Sequence, residues 1–185
     1  MDAKDYTDEF IRRTLDYTLW IEKAEHLLEA ANLLEPRIEK LRSEVQNGGF
    51  ITEHYFTTYF MLASYALENL LKALYIKLNA DSVKRALEEK KRLPKEIVGH
   101  DLNKLAQKLR VNSREWGEEA LLRKLSRCAV WYGRYPIPIE ASQLDHSYKS
   151  ESEDLHFFFL QYGSDDVKEI QGFISRVRSM LKRSA

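Results

Sequence analysis

The chain has 185 residues, 44% of them hydrophobic and 31% charged, and its 29 Lys+Arg balance its 29 Asp+Glu. That much apolar content at zero net charge excludes intrinsic disorder, and the length fits one domain, here residues 1–185. The charge balance argues against duplex DNA as a partner, because such binding neutralises many phosphates with Lys and Arg.

Only 7 Gly and 4 Pro punctuate the chain, and long β-branched alternations are absent, so an all-α protein is expected. No apolar run reaches the roughly 18 residues of a membrane span. Met1–Phe10 lacks the apolar stretch of a secretory signal. Cys128 is the single cysteine, which leaves neither an internal disulfide nor a Cys-rich zinc site. A cytoplasmic protein with no membrane partner, no cofactor and no metal is expected.

In chain order, Phe10, Tyr17, Ile21, Ala24, Leu28 and Ala31 recur at helical spacing and predict one long helix over 3–34. The stripe continues through Leu34, Ile38, Leu41 and Val45, with Pro36 marking either a kink or a new start. Residues 51–79 predict a central helix, apolar on nearly every face, with Phe56, Phe60, Ala63, Leu67, Leu70, Leu74 and Leu78 as its main stripe. Residues 82–92 predict a short, charged, poorly anchored helix. Asp101 is placed to cap a further one with Leu102, Leu105, Ala106 and Leu109 on its apolar face. Ser113 is placed to cap a helix over 114–132, with Ala120, Leu121, Leu125, Cys128, Ala129 and Tyr132 as its stripe. The prolines at 136 and 138 then force extended chain. Residues 140–162 are read as loop-rich, and Ser164-Asp165-Asp166 opens a C-terminal helix over 163–183.

Charge is unevenly spread. Residues 84–110 carry nine basic and four acidic side chains, whereas 140–166 carry seven acidic and one basic. Solvation accounts for such patches, and so does contact within a dimer or with a protein partner.

Several side chains are candidates for chemistry. Glu68 and Lys72 stand four apart on the most apolar helix, Glu first, the better order for an ion pair. They either fix helix register or form the polar wall of a pocket. Arg127, with Arg123 one turn earlier and Arg134 beyond the helix end, offers guanidinium groups to a phosphate. Tyr132 and Tyr135 flank the proline turn. His100, at a helix start, is either a loop-packing residue or a proton carrier. His146 and His156 have no zinc spacing, and no phosphate loop, GxSxG, HExxH or CxxC is present.

The stretch Tyr65-Ala66-Leu67-Glu68-Asn69-Leu70-Leu71-Lys72-Ala73 resembles the second core helix of HEPN domains, where Glu-x3-Lys is frequent. The Gly99-His100-Asp101-Leu102 turn and the amphipathic helix after it resemble the same family. Arg127 and Arg134-Tyr135-Pro136 lie where the fourth core helix would end. The resemblance covers about residues 51–140. It implies an up-and-down helical bundle with long core helices and a short-helix insertion, acting as a homodimer. Many such domains are metal-independent ribonucleases in defence, toxin–antitoxin or RNA-processing systems, and others bind nucleotide or RNA without catalysis. The ribonuclease motif is Arg, four to six residues, then His, and no histidine falls in that window after Arg123 or Arg127. RNA cleavage without metal needs a group that moves the 2′-hydroxyl proton. Tyr132, with an ordinary pKa of about 10, replaces histidine poorly. His100 would serve only if the fold carries its loop to Arg127.

The resemblance thus implies a non-catalytic domain in which Glu68, Lys72, Arg127, Arg134 and Tyr135 shape a groove for RNA, a nucleotide or a protein partner. A divergent endoribonuclease using Arg127 with Tyr132 or His100 is the first alternative. A purely structural dimerisation protein is the second.

Overall fold

A computed structural model describes residues 3–46, 54–111, 116–132, 134 and 164–183. All regular structure among them is helical: α1 (Ala3–Leu15), α2 (Tyr17–Asn32), α3 (Glu35–Gln46), α4 (His54–Leu78), α5 (Ala80–Lys90), α6 (Lys95–Val98), α7 (Leu102–Leu109), α8 (Trp116–Arg127) and α9 (Ser164–Arg183). None of these helices is long and apolar enough to cross a membrane.

The expected first helix is broken at Asp16. Its backbone leaves helical geometry, and its carboxylate accepts from the Thr18 backbone N–H at 3.1 Å, the N-cap of α2. An aspartate that caps locally competes with the helix that would run through it. The Thr14 carbonyl freed by the break accepts from the Trp20 indole at 3.2 Å. Pro36 does not kink a helix but stands in the first turn of α3, where its missing N–H costs nothing.

Helix α4 is the centre of the molecule. Ala63, Ala66, Leu67, Leu70, Leu71, Ala73, Leu74 and Ile76 are all fully buried, because α2 covers one side while α9, α7 and α8 cover the others. Each full burial of a Leu-sized side chain contributes roughly 1.5–3 kcal/mol. The expected stripe holds except at its end, where Leu78 is exposed.

Helix α5 is better anchored than its charge suggests, since Val83 and Leu87 are buried. Helix α7 follows the expected pattern. Asp101 caps it by accepting from the Lys104 N–H at 2.9 Å, and Leu102, Leu105, Ala106 and Leu109 are buried. The helix expected over 114–132 runs as α8 and then widens into a π-helical turn over Cys128–Tyr132. In α8, Ala120 faces outward while Leu121, Leu122 and Leu125 enter the core. The Tyr65 hydroxyl donates to the Ala129 carbonyl at 2.9 Å, tying that turn to α4. Helix α9 buries Ile170, Phe173, Ile174, Val177 and Leu181. The Ser113 cap and the loop expected over 140–162 lie outside the described residues.

Candidate functional site

The one-turn spacing of Glu68 and Lys72 produces the expected ion pair. The Lys72 ammonium donates to Glu68 Oε1 at 2.5 Å, and the two side chains are only 7% and 8% exposed. Charges this buried persist only when paired.

The pair is not closed on itself. His100 Nδ1 lies 2.9 Å from Glu68 Oε2 and 3.1 Å from Oε1. A carboxylate only accepts, so Nδ1 carries the proton and donates. The imidazole is 52% exposed, and Nε2 makes no hydrogen bond to any described residue. A buried carboxylate therefore fixes the tautomer and orientation of a half-exposed ring. Carboxylate-held histidines carry protons in many enzymes, and they also serve as oriented hydrogen-bonding groups in binding sites.

Three contacts hold the loop that presents this ring. His100 reaches Glu68, the Asp101 carboxylate caps α7, and the Leu102 N–H donates to Ser126 Oγ of α8 at 3.0 Å. Ser126 in turn donates to the Leu122 carbonyl at 2.8 Å. The sequence reading missed Ser126. Its place beside the core position Leu125 is the signal that could have found it, and nothing short of the α7–α8 packing names its partner.

Two of the three arginines that the sequence offers to a phosphate are already engaged. Arg123 is paired with Glu119 at 2.6 Å, and Arg134 donates to the Val130 carbonyl at 2.6 Å. Arg127 is exposed on the last turn of α8, directly after Ser126, with no ion pair among the described residues. His100 is seated on Glu68 of α4, so the loop whose approach to Arg127 the ribonuclease alternative requires is anchored to the central helix. The Tyr132 backbone lies in the π-helical turn, and Tyr135 lies outside the described residues.

Beside His100, the segment from α6 to α7 forms a cleft of about 470 Å³ lined by Lys95, Glu96, Gly99, Asp101, Lys104, Leu105 and Lys108. Lys108 is paired with Glu96 at 3.1 Å and stands over the Tyr75 ring at 5.1 Å. Glu96 is held below the usual carboxylate value by its own backbone N–H and by Lys108. Among the described residues no group of three or more His, Cys, Asp or Glu is placed to hold a metal ion.

Comparisons with protein-family models, with curated proteins and with solved structures return no match.

Proposed function

We propose that this chain is a non-catalytic, HEPN-like binding domain for RNA or a nucleotide, acting as a cytoplasmic homodimer. Its polar wall is built from Glu68, Lys72 and His100, with Arg127 the exposed guanidinium on the neighbouring helix. One observation supports the reading above the others: Glu68 spends a buried charge on orienting His100 toward solvent. A pair needed only for helix register is complete with Lys72 alone.

The test is a titration of fluorescently labelled single-stranded RNA and of ATP, read by anisotropy and calorimetry. His100→Ala and Arg127→Ala are expected to weaken binding about tenfold or more, the scale of one lost charge-assisted hydrogen bond. Affinity unchanged in both variants removes the site. Light scattering at micromolar concentration reads the dimer directly.

A divergent metal-independent ribonuclease is the second reading, and the free Nε2 of His100 favours it. With Nδ1–H held by Glu68, a neutral ring has a lone pair at Nε2 able to accept a 2′-hydroxyl proton. RNA incubated in EDTA with wild type, His100→Ala and Arg127→Ala separates the two readings. Cleavage by the wild type alone makes the domain an enzyme, and no cleavage by any of them leaves binding.

A further inference from the structure

The cleft beside His100 has a composition that selects its ligand. Three lysines, Lys95, Lys104 and Lys108, line it against two carboxylates, Glu96 and Asp101, which leaves one net positive charge. Glu96 holds Lys108, and Asp101 caps the Lys104 backbone N–H. Lys95 and Lys104 are exposed and make no ion pair among the described residues. Lys108 is fixed between Glu96 and the face of Tyr75, so one of the three cations is held in position. Gly99 and Asp101, the residues on either side of His100, form one wall. The two residues that flank His100 in the chain therefore line the cleft, and its volume lies within the range of small-ligand sites, roughly 300–1,000 Å³. Lysine ammoniums serve phosphate as point charges.

We propose that this cleft is a phosphate-binding subsite for a phosphorylated small molecule, with Lys95 and Lys104 as its cationic contacts and Lys108 as a fixed third. This rests on the reading of the chain as a binding domain and narrows its ligand. The phosphate is carried on a free molecule of nucleotide size, and a phosphodiester chain held only elsewhere on the surface is the competing source.

The probes are inorganic pyrophosphate and ADP, titrated by calorimetry at low salt into the full chain. Both are expected to bind the wild type. The exposed double variant Lys95→Gln/Lys104→Gln is expected to lose about tenfold or more, consistent with one or two charge-assisted contacts. Lys95→Arg/Lys104→Arg, which keeps the charge, is expected to keep most of the affinity. Circular dichroism checks that every variant is folded. No binding of either probe at millimolar concentration overturns the subsite, as does binding that the double Gln variant leaves unchanged. Single-stranded RNA titrated onto the same samples separates this proposal from the one beneath it. RNA binding that requires His100, without pyrophosphate or ADP binding, removes the subsite and keeps the binding domain. No binding of RNA, pyrophosphate or ADP removes both.

Discussion

Helix α4 carries two polar clusters, and they end differently. In its N-terminal half the buried Tyr59 hydroxyl donates to Glu35 Oε1 at 3.4 Å, and the same oxygen accepts from Gln171 at 2.7 Å. Asn32, with its amide nitrogen turned inward, donates to that oxygen at 3.2 Å. One carboxylate thus ties together α2, α3, α4 and α9. Further along α4, Glu68 gathers Lys72 and His100. The outer end of the first cluster is an amide, which neither titrates nor attacks. The outer end of the second is an imidazole. The difference teaches that a buried charge is a functional clue through what it holds at the surface, more than through its burial.

The comparison breaks first at Glu68. Glu68→Gln leaves the Lys72 ammonium buried without its counter-charge, a change that costs about 3–5 kcal/mol. Urea denaturation reads it. Glu68→Gln/Lys72→Met, which removes both charges, is expected to recover much of the loss. A single-variant cost under about 1 kcal/mol contradicts the burial on which the site is built.

The Tyr59 cluster is tested by alkali. Burial and the facing Glu35 carboxylate push its phenol well above the ordinary value. The unfolded chain ionises Tyr59 near pH 10 while the folded chain resists. Stability tied to this group is therefore fully present below about pH 10 and lost at up to about 1.4 kcal/mol per pH unit above it. Tyr59→Phe is expected to cost at most about 1 kcal/mol at neutral pH, because its hydrogen bond is long. It is expected to blunt the alkaline loss between about pH 10 and 12, and unfolding curves at several pH values show whether it does. An unchanged alkaline slope assigns the effect to other tyrosines.

His100 sharpens the contrast because its contact with Glu68 and its proposed part in binding are separable. His100→Ala is expected to cost only about 1 kcal/mol, since the ring is half exposed and its bond to Glu68 is partly screened. The same variant is expected to lose ligand affinity about tenfold. A large stability loss with unchanged affinity would make His100 a latch for its loop.

How legible this was depends on the range of each interaction. The Glu68–Lys72 pair follows from a spacing of four on one helix, and the Asp101 cap from a local loop-to-helix pattern, so both are readable in the sequence. The break at Asp16 was equally local and was hidden by an apolar stripe that runs across it. His100 meets Glu68 across 32 positions, and only the seating of α7 against α4 makes that choice. The lysine cleft was visible as basic charge over 84–110, but the sequence did not separate Lys108, held by Glu96, from Lys95 and Lys104. The arginines show the converse. Their spacing suggested convergence, while Glu119 and the Val130 carbonyl claimed two of them.

The smallest expected effect calibrates the largest. Arg178 of α9 forms a two-bond pair with Glu25 of α2, and the side chains are 38% and 44% exposed. The first cluster and this pair join helices through a carboxylate, and the second joins α4 to the His100 loop, so the pair isolates what burial adds. In water-exposed geometry the Coulomb gain is offset by the entropy of holding two long side chains, and Arg178→Ala is expected to cost about 0.2–1 kcal/mol. Exposed charges are also screened over a Debye length of about 3 Å at 1 M salt, whereas buried ones are screened far less. The cost of Arg178→Ala should therefore shrink toward zero between 0.05 and 1 M NaCl, roughly a threefold to fivefold fall in Debye length, while that of Glu68→Gln holds. Parallel salt dependence in the two variants would mean that water reaches Glu68 as freely as it reaches Glu25. The carboxylate would then no longer be a buried anchor for His100.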